Sequence, residues 1–268
     1  LSQETFVIQV RNPAVAGLFY PADAQELRTQ VHHYIERVGN GDAPTPKAII
    51  APHAGYIYSG PVAGSAYARL KKAAGRIKRV VLLGPAHRVA VRGLALPSAK
   101  SFLTPLGPVP VDQEVAEALL ALPQVSINDA THAEEHSLEV HLPFLQEILG
   151  EFSLVPLVVG NATAEEVADV LESVWGGDET LIVISSDLSH YLDYDTASAL
   201  DRRTSDAIES LDYEKISYDQ ACGRIPVSGL LRVARKKGLH GETIDLRNSG
   251  DTAGPRDRVV GYGAYVFN

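Results

Sequence analysis

A chain of 268 residues, 45% hydrophobic and 21% charged, has ordinary globular composition and enough length for a substantial core. Its net charge of −9 argues against nucleic acid or an anionic membrane as the main partner, and no stretch approaches the roughly 20 apolar residues of a membrane span. A single cysteine, Cys222, excludes an internal disulfide framework and fits a reducing, cytoplasmic compartment.

The N-terminal residues 1–17 (LSQETFVIQVRNPAVAG) lack the basic-then-apolar layout of a signal peptide. Amphipathic spacing predicts a helix over 24–38, then a loop over 39–46 (GNGDAPTP). An apolar run at 47–51 (KAIIA) reads as a buried strand, 61–73 as a helix, and 79–84 (RVVLLG) as a second strand. A helix over 112–122, a strand over 152–159 (FSLVPLVV), a helix over 164–174 and a strand over 180–185 (TLIVIS) follow. Helices are expected at 197–210 and 227–237, a loop at 248–256, and a last strand at 259–267 (VVGYGAYVF). Gly and aromatic residues alternate in that last strand, which suits an antiparallel addition. Alternation of this kind predicts one α/β domain, a three-layer sandwich with a mixed, mostly parallel central sheet.

Ligands of open α/β sheets sit outside the carboxyl ends of the strands. Three apolar runs there deliver a histidine within a few residues: His53 after KAIIA, His87 after RVVLLG, and His190 after TLIVIS. One such histidine reads as structural; three in equivalent places read as a shared polar, metal-binding pocket. Residues 134–144 (EEHSLEVHLPF) add His136, Glu139 and His141. The zinc-protease motif HExxH needs histidines at i and i+4, whereas His136 and His141 are five apart, about 140° around a helix. His136 and Glu139 can share a face, which leaves a zinc hydrolase as the weakest reading; His141 reads as buried or capping. Cys222 precedes a helix within ACGRIP and reads either as a small buried hydrophobe or as a thiolate ligand. There is no GxSxG, P-loop or CxxC motif, and Gly261 and Gly263 lie in a strand rather than at a strand-to-helix turn. Serine hydrolase, nucleotide-driven and dinucleotide-binding functions lose their support.

Six blocks, in order, resemble the Memo family, also called the AmmeMemoRadiSam system protein B family. They are 11–21 (RNPAVAGLFYP), 51–60 (APHAGYIYSG), 84–87 (GPAH), 134–144, 185–190 (SSDLSH) and 221–226 (ACGRIP). The resemblance implies a fold similar to the class III, LigB-type extradiol dioxygenases, which use a mononuclear non-haem iron. It assigns His53, His87 and Cys222 as metal ligands, with Cys222 replacing the carboxylate of the dioxygenases. It makes His190 the acid/base that handles a substrate proton, and places His136 and Asp187 on the same pocket wall. Ile225 departs from the pattern, since some members carry histidine there. The implied cofactor is a single metal ion: iron(II), with copper or zinc as alternatives. The implied activity is dioxygenase-like oxidation of a small aromatic substrate; the alternative is a non-catalytic metal-binding or peptide-binding protein. The resemblance also implies a functional link to AMMECR1-like and radical-SAM proteins.

Overall fold

The structure is a computed structural model, and it describes residues 10–38 and 43–268. Residues 1–9, part of the N-terminal segment compared with a signal peptide, and 39–42, half of the expected loop, lie outside the described residues. The chain opens with β1 (Val10–Arg11), α1 (Ala24–Glu36), β2 (Ala48–Ala51), α2 (Tyr56–Ala68), β3 (Arg79–Pro85) and β4 (Leu94–Leu96). Then come β5 (Ser101–Thr104), β6 (Gly107–Pro110), α3 (Gln113–Leu119), β7 (Val125–Ile127), α4 (Asp129–Ala133), α5 (Leu142–Leu149) and β8 (Ser153–Val159). The remainder is α6 (Ala164–Ser173), β9 (Thr180–Ser185), β10 (His190–Leu192), α7 (Tyr194–Glu209), α8 (Arg224–Lys237), β11 (Gly241–Asn248) and β12 (Val259–Phe267).

Nine strands make one sheet in the order β10-β12-β2-β9-β3-β8-β4-β7, with β11 also paired to β12. The expected mixed, mostly parallel sheet is present. Its heart, β2-β9-β3-β8, is parallel throughout, and β12 joins antiparallel to β2 and β11. A small second sheet, β1-β5-β6, packs beside the first, with Phe102 and Val109 in the same core.

The central strands are continuous apolar runs because both their faces are covered. Side chains alternate across the sheet. Ile49, Leu82 and Val183 pack with Leu27, Val31 and Phe144 of α1 and α5 on one side. Ile50, Val81 and Ile182 pack with Val167, Leu171 and Leu230 of α6 and α8 on the other. These are the three layers. Asp23 caps α1 through the backbone N–H groups of Gln25 and Glu26, and Thr163 with Glu166 forms a capping box on α6.

α7 begins three residues earlier than the sequence suggests, at Tyr194, and two other helices also start early. Pro61 reads as a helix start, yet α2 begins at Tyr56 and holds Pro61 inside it. The Tyr56 N–H is engaged by Phe19 O at 2.7 Å, and Ser59 N–H by Gly55 O at 3.1 Å. Similarly, α8 starts at Arg224, and Pro226 occupies its first turn, where no intrahelical donor is required. These last two shifts bring helix starts to within a few residues of His53 and Cys222. No helix among the described residues is long and apolar enough to cross a membrane.

Candidate metal centre

Strand order explains why distant histidines meet. β9 lies between β2 and β3, so the residues that follow these three parallel strands emerge side by side. His53 leaves β2, Ser186 and Asp187 leave β9, and His87 leaves β3. Ends two strands apart are about 9–10 Å from each other, a gap that two inward-turned imidazoles can close. The His53 and His87 ring centroids are 5.1 Å apart.

His136 arrives from the segment between α4 and α5. That segment lies directly on the end of β3 because Gly84 has no side chain: a Cβ there would stand 2.8 Å from Ser137 Oγ and 2.9 Å from Leu138 Cδ2. The His136 ring stacks on His87, with centroids 4.8 Å apart and planes 21° from parallel, and Phe19 leans on it at 4.9 Å.

Among the described residues, His53, His87 and His136 form the group whose donor atoms converge, all within 4.8 Å of one another. Such neutral nitrogen donors suit a divalent transition metal. Burial, reinforced by the neighbouring His87 and His136, holds His53 far below the usual imidazole range. Burial takes His136 down to about 4. Its Nδ1 is buried without a hydrogen bond; the nearest carboxylate oxygen, Glu135 Oε1, is 3.5 Å away. An orphaned imidazole nitrogen beside two others fits a cation-binding site.

The partners behind the rings set their tautomers. His87 Nδ1 lies 2.9 Å from Glu135 Oε1, and the same carboxylate accepts the His87 backbone N–H at 2.6 Å. Burial would raise Glu135, but the hydrogen bonds from the His87 ring and from the His87 and Ser137 N–H groups outweigh it and bring the carboxyl down to about 2. An ionised carboxylate only accepts, so His87 carries its proton on Nδ1 and its lone pair on Nε2. His53 Nδ1 meets Ser185 Oγ at 2.6 Å, and its backbone N–H donates to Asp187 Oδ1 at 2.7 Å.

The trio implied by the resemblance is not the group that converges. Cys222 stands outside it, with Sγ 3.4 Å from His53 Nε2 and 3.7 Å from Asp187 O, and His136 completes the converging group. The reason is the direction of entry. Cys222 comes from the α8 face of the sheet, tied by its N–H to Asp187 O at 3.3 Å, whereas His136 comes from the α5 face. Burial and the Asp187 charge push the Cys222 thiol well up. Burial likewise raises Asp187 above the usual carboxylate range.

His190 is exposed at the edge of the site. Its Nδ1 lies 2.8 Å from the Leu188 carbonyl, which only accepts, so its lone pair is on Nε2. Glu139 is not available to the site. Its carboxylate is fully buried and accepts from Arg11, Tyr20, and the Ala14 and Val15 N–H groups. The shared face expected for His136 and Glu139 therefore builds no hydrolase. His141 is buried, as expected, behind the site. Glu135 and Ser185 escaped the sequence reading, although Glu135 adjoins His136 and Ser185 lies two residues before Asp187.

The fold and site together define an α/β protein with a histidine-built candidate metal centre at the carboxyl edge of its sheet. A family model described as Memo-like protein matches residues 11–266, and the chain belongs to that family. A MEMO1 family protein of Methanopyrus kandleri is 37% identical, covering 96% of this chain and 98% of the relative. One from Aquifex aeolicus is 37% identical over 97% of this chain and 100% of its own. The crystal structure of an uncharacterized protein from Escherichia coli K12 covers 82% of this chain and 98% of its own, with a TM-score of 0.52. At 13% identity it shows a shared fold alone.

Proposed function

We propose that this Memo-family chain binds one divalent metal ion on His53 and His87 and acts as a dioxygenase-like oxidoreductase on a small aromatic or related substrate. The observation that carries the reading is the convergence of these imidazoles, with the Nδ1 of each engaged from behind by Ser185 or Glu135. Cys222 supplies the third, anionic donor as a thiolate. Its Sγ is 3.4 Å from His53 Nε2, close enough for both atoms to reach one ion. Metal binding releases the thiol proton. Iron(II) is the proposed ion, and copper and zinc compete because a thiolate is soft. A second reading, favoured by the three-imidazole convergence, gives the third place to His136.

When bound, the metal supplies open positions for a catecholate and O₂. The protein's own groups do the rest. His190 presents Nε2 to take the phenolic proton and return it later. Asp187 fixes the backbone at His53, and the Phe19 ring packs over His136.

The test is anaerobic loading with Fe(II), followed by O₂ uptake with a panel of catechols. Uptake supports the oxidoreductase; no uptake with any catechol, together with tight copper binding, leaves a non-catalytic metal-binding or peptide-binding protein. Cobalt(II) in place of iron separates the two ligand sets. A thiolate-to-cobalt charge-transfer band that disappears in Cys222→Ser places Cys222 on the metal, and its absence from the wild type gives the place to His136.

A further inference from the structure

Behind His53 lies a wholly buried polar chain that the metal reading leaves without a task. Ser185 and Tyr67 are 0% exposed and His141 is 1% exposed. Ser185 Oγ has three neighbours: His53 Nδ1 at 2.6 Å, His141 Nε2 at 2.8 Å and the Ser137 carbonyl oxygen at 2.6 Å. The Tyr67 hydroxyl lies 2.8 Å from His141 Nδ1.

Counting protons leaves one solution. A hydroxyl has one proton and two lone pairs, and a carbonyl only accepts. The Ser185 proton therefore goes to the Ser137 carbonyl, and both imidazole nitrogens facing Ser185 must donate to it. His53 carries its proton on Nδ1 and His141 carries its proton on Nε2. His141, kept neutral by burial, then has a lone pair on Nδ1, and the Tyr67 hydroxyl donates to it. Reversing any one of these bonds sets two donors or two lone pairs against each other in a site that solvent does not reach.

We propose that Ser185, His141 and Tyr67 form a tautomer lock on His53, which holds its proton on Nδ1 and keeps the Nε2 lone pair on the side of His87, His136 and Cys222. These three are positioning residues. Ser137 extends the lock to the second imidazole. Its carbonyl takes the Ser185 proton while its N–H donates to Glu135 Oε1 at 2.9 Å, the oxygen that receives His87 Nδ1–H. The consequence for metal affinity rests on the metal-binding reading above; the tautomer itself is a property of the metal-free chain.

Long-range ¹H–¹⁵N correlation spectra of histidine-labelled, metal-free protein, assigned by single histidine substitutions, test the lock. The expected result is the Nδ1–H form for His53 and the Nε2–H form for His141. Ser185→Ala is expected to give mixed His53 tautomers and to weaken cobalt(II) binding about 10- to 100-fold, the usual effect of losing an outer-sphere partner. Ser185→Thr, which keeps the hydroxyl, restores both. An Nε2–H or doubly protonated His53 in the wild type overturns the proposal, and that measurement needs no variant to fold. So does a Ser185→Ala protein whose His53 tautomer is unchanged. His53→Ala with undiminished cobalt(II) affinity instead overturns the metal reading and leaves the wild-type tautomer assignment standing.

Discussion

The Arg11 guanidinium and the Glu139 carboxylate form an ion pair that bridges 128 residues of chain, with side chains 5% and 0% exposed. Arg11 also donates to the carbonyl oxygens of His132 at 3.1 Å and Glu135 at 2.6 Å. The pair thus fastens the segment that carries Phe19 to the segment that carries Glu135 and His136. Removing one partner leaves a buried charge alone, and the expected cost of Arg11→Ala is about 3–5 kcal/mol. Removing Glu139 as well strands the Tyr20 hydroxyl and the Ala14 and Val15 N–H groups, so Arg11→Met with Glu139→Leu is expected to cost at least as much as the single change. Denaturant unfolding of the three proteins checks this; equal stability of wild type and Arg11→Ala would show that the pair does not fasten the two segments.

Gly223 lets the cysteine loop reach the end of β9. A Cβ at that position would stand 2.5 Å from Ser185 O and 2.7 Å from Ser186 Cβ, both parts of the packed strand end. The same turn is held by the Gly223 N–H, which donates to Ser186 Oγ at 3.0 Å. Gly223→Ala is therefore expected to push Cys222 away from His53, weakening or abolishing the thiolate–cobalt band while the chain stays folded. A band of unchanged intensity would mean that the loop yields elsewhere and that the close approach is dispensable.

Acid stability carries a signature of buried imidazoles. Burial lowers His132 and His136 to about 4 and His141 to about 3. In the unfolded chain these groups titrate near 6.5, so below that pH the unfolded state binds protons that the folded state refuses. Stability is therefore full above about pH 6.5 and falls as the pH drops toward 4. Glu135, held at about 2 mainly by His87 against the opposing effect of burial, adds a later loss between about 4.5 and 2. The melting temperature of metal-free protein is expected to fall steadily from pH 7 to pH 4. His132→Gln, which keeps a donor for the Ala95 carbonyl, is expected to flatten part of that slope. A melting temperature constant from pH 7 to pH 5 would contradict the burial of neutral histidines.

The parts of the site that were legible in the sequence are those that follow buried strands. β2, β3 and β9 are covered on both faces, so they appear as unbroken apolar runs, and His53, His87 and Asp187 mark their ends. The antiparallel β12 was legible for the same reason. What local patterns do not carry is long-range contact. His136 reaches the cluster because Gly84 permits a close crossing, a contact that no periodicity around His136 encodes and that only the family resemblance pointed to. Glu139, two residues from His141 in a segment rich in metal-binding groups, looked like a site residue until its partners proved to be Arg11 and Tyr20. The short strands β4, β5, β6, β7 and β10 have too few residues to show alternation.

In the proposed function, His190 handles the substrate proton and leaves metal binding to other residues. Its Nδ1 is committed to the Leu188 carbonyl at 2.8 Å, and it lies outside the group of converging donors. It follows β9 at the sheet edge, where Tyr191 adopts a left-handed φ of 61° and its ring meets the His190 ring edge-on at 5.7 Å. A non-glycine residue in this region persists only where the surrounding structure holds it. His190→Ala is expected to reduce turnover of any catechol that supports O₂ uptake by about 10²- to 10⁴-fold, the range for losing a general base. Iron occupancy and cobalt(II) affinity should stay at wild-type values, because no converging donor is removed. His190→Gln, which retains hydrogen bonding but cannot take a proton near neutrality, should behave like the alanine variant in turnover. If occupancy collapses along with activity, His190 is a ligand rather than the proton carrier, and the division of labour among the histidines must be redrawn around it.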